Sequence, residues 1–93
     1  MTRSMKADDI CNNAGALVSG ARHEDHGEKV VTHANIAALW NAYLGPRADP
    51  PITPRDVALM MALLKIARTK SGNVNMDDYV DACGYAAIAG ELA

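Results

Sequence analysis

The clearest helix in the sequence lies in residues 52–68, which read ITPRDVALMMALLKIAR. Thr53 is a typical N-cap residue, Pro54 suits the first helical position, and Asp56 follows three residues after the cap. The next residues are apolar around most of the helix circumference, and basic side chains follow at Lys65 and Arg68. This pattern predicts a helix over about residues 54–70 that is central in a bundle or packed against another subunit.

Three further segments have the periodicity of amphipathic helices, at about residues 8–19, 32–44 and 76–91. The proline-containing residues 46–52 form a stiff linker between the second and third helices, because proline removes a backbone donor. Small residues in the last helix favour close approach to a neighbouring helix. The sequence therefore predicts an all-α fold, a compact four-helix arrangement. The second helix is expected to face the core with Ile36, Leu39, Trp40, Tyr43 and Leu44.

The composition is that of a single small domain spanning residues 1–93, with 49% hydrophobic residues and a formal net charge of −2. A near-neutral chain without a Lys/Arg stripe argues against nucleic acid as a partner, and the lack of a bilayer-length apolar run argues against a membrane. Cys11 and Cys83 have no metal-ligand spacing and are interpreted as buried free thiols. A chain this short buries only about 60–65% of its surface, so we expect a homo-oligomer.

The first candidate site is the polar stretch that contains Arg22, His23 and His26. Two histidines three residues apart can bind a metal when they are helical, but the sequence supplies no obvious third ligand. A solvated loop is the simplest interpretation. In a third interpretation the loop contacts a ligand, because these three side chains can donate hydrogen bonds to phosphate or carboxylate oxygens.

The second candidate site lies between the last two helices, where Lys65 and Arg68 are one turn apart and so are Asp78 and Asp81. In an antiparallel helix pair the two sets can face each other and form salt bridges. Alternatively, Lys65 and Arg68 bind a phosphate group or nucleotide without catalysis. In a third interpretation Asp78 and Asp81 chelate Mg²⁺ while the two basic residues hold a polyphosphate.

Several motifs together resemble a widespread family of small phage and prophage proteins of unknown function. They are Arg-His-x-x-His-Gly at residues 22–27, Ile-Ala-x-Leu-Trp at 36–40, Asp-Val-Ala-x-Met-Met-x-x-Leu-Lys-Ile-Ala-Arg at 56–68, and Asp-x-x-Gly-Tyr-Ala-Ala at 81–87. The family more often has Tyr at the position of His26, which argues against a metal role for this histidine. The free cysteines and the lack of an apolar stretch near the N-terminus indicate the cytoplasm, and the resemblance to phage proteins implies that this is the cytoplasm of a bacterial host cell.

A more distant likeness is to the all-α NTP pyrophosphohydrolases, the MazG-like group of Mg²⁺-dependent helical oligomers. The Asp78-x-x-Asp81 pair is similar to the second acidic pair of that group. The first acidic cluster is absent, because the preceding helix carries apolar residues such as Met60 and Leu64 where that group has glutamates. Glu24 and Glu28 could substitute for it from the loop.

Three functions follow from these observations. In the first, the chain binds a nucleotide or other phosphorylated small molecule through Arg22, His23, His26, Lys65 and Arg68, without complete catalytic machinery. In the second, it is an oligomeric interaction module that acts on a host factor. In the third, it is a nucleotide pyrophosphohydrolase, for which Mg²⁺ would be the cofactor. Because no catalytic residue can be named, the sequence favours binding over catalysis.

Overall fold

The computed structural model describes residues 5–20 and 28–93, and in these residues the secondary structure is helical, without a strand. The described residues form four α-helices, which are in chain order α1 (Ala7–Ser19), α2 (Lys29–Leu44), α3 (Pro54–Arg68) and α4 (Met76–Glu91). A short 3₁₀ turn, Gly45–Arg47, follows α2. The predicted all-α fold with four helices is confirmed. The main differences are that α2 begins about one turn earlier than predicted and that α3 ends two residues earlier.

The ends of α3 are set by local hydrogen bonds. The backbone N–H of Asp56 donates to Oγ1 of Thr53, and the N–H of Thr53 donates back to the Asp56 carboxylate, each over 3.1 Å. The bond from the Thr53 N–H to the Asp56 carboxylate, and after it the contribution of the Thr53 side chain, hold the pKa of Asp56 below its ordinary value. At the other end, Oγ1 of Thr69 donates to the carbonyl of Ile66 over 2.6 Å, and the helix stops at Arg68.

The linker before α3 is tied to α2 by one side-chain amide. Asn41 Nδ2 donates to the carbonyl of Ile52 over 2.9 Å, and the N–H of Ile52 donates to Asn41 Oδ1 over 2.8 Å. The amide thus satisfies both backbone groups of a residue that lies outside any helix. This contact fixes the direction in which the chain enters α3.

α3 packs mainly against α4, while α1 packs against α4 and α2 packs against α3. Val57 and Ala58 are fully buried in this arrangement, and Ala89 packs nearby on α4. The predicted close approach of the small-residue helix occurs at Gly84, where an added Cβ would lie 3.3 Å from Cγ1 of Val18. Gly84 therefore lets α1 lie directly against α4.

Much apolar surface stays exposed. Leu39 and Tyr43 on α2 are 71% and 78% exposed, so the prediction that they face the core is wrong. The buried residues of α2 are instead His33 and Ala37, because α2 contacts the rest of the protein mainly along α3. On α3, the outer side exposes Leu63 and other large apolar side chains. Whether a second copy covers them stays a prediction.

Within the described residues, no helix combines the length and the apolar character needed to cross a membrane.

Candidate functional site

A cavity of about 220 Å³ lies between the helices, with walls from all four of them. Its lining is mainly apolar, and α1 contributes Leu17 and Val18 while α2 contributes Ile36. The polar side chains in the lining are Lys29, Thr32, His33, Asp81 and Tyr85. Ligand sites in proteins have this character, since an apolar cavity with a few polar groups both buries a ligand and orients it.

His33 is the buried polar group of this cavity, with 6% of its surface exposed. Its Nδ1 lies 2.8 Å from the carbonyl of Lys29, and because a carbonyl can only accept, Nδ1 carries the proton. In the neutral ring Nε2 is therefore an acceptor. Among the described residues, Nε2 has no hydrogen-bond partner. Leaving such an atom unpaired costs about 1–3 kcal/mol, so its presence needs an explanation.

Aromatic and basic side chains adjoin this histidine in the cavity wall. The ring of Tyr85 meets that of His33 edge to face, with 6.5 Å between the centroids. Lys29, in the first turn of α2, donates from Nζ to the carbonyl of Val18 over 3.4 Å, and its Nζ lies 3.7 Å from the Glu91 carboxylate. The cavity thus combines an apolar interior with an ammonium group in its wall.

Lys65 forms an ion pair at the edge of the same cavity. Its Nζ lies 3.1 Å from Oδ2 of Asp81, and the two side chains are only 17% and 12% exposed. Because Asp81 also lines the cavity, this pair places a second lysine beside it. A phosphate group that binds Lys65 would compete with this carboxylate.

Arg68 and Asp78 form the companion pair one turn away. Nε of Arg68 lies 3.3 Å from Oδ1 of Asp78, whose side chain is 8% exposed while that of Arg68 is 56% exposed. Asp78 lies in the first turn of α4, where the helix dipole also favours a negative charge. Both pairs have the arrangement that the salt-bridge interpretation expects.

The predicted metal ligands Asp78 and Asp81 are thus each in contact with a basic side chain. In the part of the chain that the structure describes, no group of three or more His, Cys, Asp or Glu residues could hold a metal ion. A cation at this pair would displace two salt bridges. The Mg²⁺ site, and with it the pyrophosphohydrolase activity, stays a prediction.

The other predicted ligand-binding residues, Arg22, His23 and His26, lie outside the described residues, as does Glu24. Their role stays a prediction.

Sequence reasoning missed His33 as a site residue. A signal was present, because His33 precedes Ala37 by four residues and Trp40 by seven, which puts a histidine on an apolar helix face. A histidine in this position usually has its hydrogen bonds satisfied within the core. Whether Nε2 of His33 has a hydrogen-bond partner depends on how the four helices pack. The spacing of residues in the sequence could not predict this.

Comparison with known proteins places the chain in a family. The model of a domain of unknown function, DUF6378, matches residues 9–93. The Gene 55 protein of Mycobacterium phage L5 is 40% identical over 79 residues, which are 85% of this chain and 49% of the relative. The Gene 55 protein of Mycobacterium phage D29 is 34% identical over 80 residues, or 86% of this chain and 50% of the relative. No solved structure matches.

The chain spans about half the length of these two phage relatives. The resemblance to small phage proteins of unknown function is confirmed, while the likeness to the all-α NTP pyrophosphohydrolases stays a prediction. The chain thus belongs to the DUF6378 family of domains of unknown function, and it is similar to proteins of two mycobacterial phages.

Proposed function

We propose that this chain binds a nucleotide or other phosphorylated small molecule, with the ring or other apolar part of the ligand in the four-helix cavity. The observation that carries the proposal is the open Nε2 acceptor of His33 in the cavity wall. A nucleobase offers what this atom lacks, because its amino or ring N–H groups are hydrogen-bond donors and its faces are apolar. Binding would satisfy the acceptor and cover the apolar wall in one step.

The size of the cavity favours a single ring system. A cavity of about 150 Å³ is known to hold one benzene molecule, and this one measures about 220 Å³. A nucleobase fits such a volume, whereas a whole nucleotide does not. The sugar and phosphate groups would therefore lie at the mouth of the cavity.

Lys29 is the described side chain best placed for the phosphate. It lines the cavity, and it lies in the first turn of α2, where the N-terminal end of the helix carries partial positive charge. Its contact with Glu91 is long, at 3.7 Å, and the glutamate side chain is 62% exposed, so a phosphate can replace it at little cost. Arg22, His23 and His26 precede Lys29 in the sequence and are the further predicted donors.

A thermal-shift experiment tests the proposal. The wild-type protein is mixed with AMP, ATP or a cyclic dinucleotide, each at millimolar concentration. Adenosine and inorganic phosphate are tested separately, because each represents one part of a nucleotide. We expect at least one nucleotide to raise the melting temperature by several degrees, since a ligand at one hundred times its Kd adds about 2.7 kcal/mol.

The variant Lys29→Ala should lose most of this shift, whereas the matched control Lys70→Ala, a change at an exposed lysine beyond α3, should keep it. A flat response to every compound would overturn the proposal. If adenosine raised the melting temperature as much as AMP does, the phosphate group would have no part in binding.

The exposed apolar side chains favour a second function, that of an oligomeric interaction module that acts on a host factor. The most exposed are Leu39, Tyr43 and Leu63, each more than half exposed, and a soluble monomer normally covers more of such surface. Light scattering after size exclusion tests this alternative. A mass of two or more copies is the expected result, and a monomer at all concentrations would exclude self-association.

A further inference from the structure

The two cysteines meet on the faces along which α1 and α4 pack. Sγ of Cys83 lies 4.0 Å from Sγ of Cys11, although the residues are 72 positions apart in the sequence. Cys11 is exposed to solvent and Cys83 is partly buried. Cys83 directly precedes Gly84, the point where α4 contacts Val18 of α1. On α4 the pair therefore lies directly next to a residue that packs against α1.

We propose that Cys11 and Cys83 are a modification site, a dithiol that a low-molecular-weight disulfide converts reversibly to an intramolecular disulfide joining α1 to α4. The sulfur atoms lie 4.0 Å apart, close to van der Waals contact, so side-chain rotation and a small helix shift would bring them to bonding distance, about 2.05 Å. The disulfide can form whether or not the chain binds the proposed ligand. Only the effect of the disulfide on ligand binding rests on the proposed function.

The reaction is a two-step thiol–disulfide exchange. The thiolate of Cys11 attacks one sulfur of the oxidant, which forms a mixed disulfide and releases one thiolate. The thiolate of Cys83 then attacks Sγ of Cys11 and expels the second thiolate. In sum, two protein thiols are oxidised, one small disulfide is reduced to two thiols, and the two protons leave with the products.

The exposure of the two thiols and the pKa of Cys83 indicate which of them attacks the oxidant first. Cys11 is the exposed thiol and meets the oxidant first. Burial, and then the neighbouring Cys11 thiol, raise the pKa of Cys83. At a given pH less of Cys83 is therefore thiolate, so it is less suited to attack the oxidant first and is assigned the resolving step. In the mixed disulfide the Sγ of Cys11 is the nearest electrophile to Cys83.

The bond would also affect the cavity. α1 contributes Leu17 and Val18 to the cavity wall, and its packing partner is α4. A covalent link between these helices holds this wall in place. Oxidation would thus slow both the entry and the release of a cavity ligand, because α1 could no longer move away from α4.

The test uses oxidised glutathione and the full chain. We expect the wild-type protein to lose two hydrogen atoms in mass, to stay free of intermolecular disulfides on a non-reducing gel, and to melt about 10 °C higher until a dithiol reductant restores it. Cys83→Ser should stop at a glutathione adduct on Cys11, and Cys11→Ser should react slowly or not at all.

Two results would overturn the proposal. One is a wild-type protein that keeps free thiols, accumulates glutathione adducts or forms intermolecular disulfides instead of the internal bond. The other is an internal bond that leaves the melting temperature unchanged, since a bond that holds α1 against α4 must restrict the unfolded chain. The reduced serine variants should melt like the reduced wild type, because serine differs from cysteine by one atom.

Discussion

Replacement of Lys65 by methionine is expected to lower the free energy of unfolding by about 3 kcal/mol. Methionine keeps much of the apolar stem but removes the ammonium group that lies 3.1 Å from the Asp81 carboxylate. Both side chains are largely buried, so water cannot replace the lost charge in full. Urea denaturation of wild type and variant measures the difference.

The matched control for this change is Lys70→Met. Lys70 is exposed and lies just beyond the end of α3, so the same substitution there should change stability by less than about 0.5 kcal/mol. If Lys65→Met costs no more than Lys70→Met, the Lys65–Asp81 pair does not stabilise the packing of α3 on α4.

Replacement of His33 by leucine is expected to raise the free energy of unfolding by about 1 kcal/mol and to weaken nucleotide binding about tenfold. Leucine fills a similar volume and removes the buried Nε2 atom that has no partner among the described residues. A ligand that donates to this atom loses its hydrogen bond. Urea denaturation and calorimetric titration measure the two effects.

Opposite signs for stability and binding distinguish a binding residue from a core residue. Asn35→Leu is the control, since Asn35 is an exposed position of α2 outside the cavity lining and the substitution brings the same gain in helix propensity. A loss of stability of 1 kcal/mol or more in His33→Leu would show that the imidazole holds the helices together and would contradict a role in binding.

Local signals predicted the first residue of α3 correctly. Thr53, Pro54 and Asp56 act within one helical turn, and the structure contains the reciprocal hydrogen bonds that their spacing predicts. The small residues of the last helix also predicted its close packing, because at Gly84 an added Cβ would lie only 3.3 Å from Cγ1 of Val18. Such features depend only on residues close in the sequence or on the size of a side chain, so they can be predicted from the sequence.

Long-range features could not be predicted in the same way. The spacing in α2 indicated a stripe through Leu39 and Tyr43, yet the helix buries His33, because the buried face depends on where α3 and α4 lie. Likewise, the sequence indicated that Cys11 and Cys83 are buried free thiols, but Cys11 is exposed, and helix packing places the two Sγ atoms 4.0 Å apart.

The four-helix cavity is the feature on which the proposed function depends, and NMR tests it directly. The side-chain ¹⁵N signals of the three histidines are followed during titration with the nucleotide that gives the largest thermal shift, and His33→Leu identifies the signal of His33. We predict that the Nε2 signal of His33 shifts as it accepts a hydrogen bond, together with the ring signals of Tyr85. Binding that leaves both residues unchanged, or no binding at all, would contradict the proposed function.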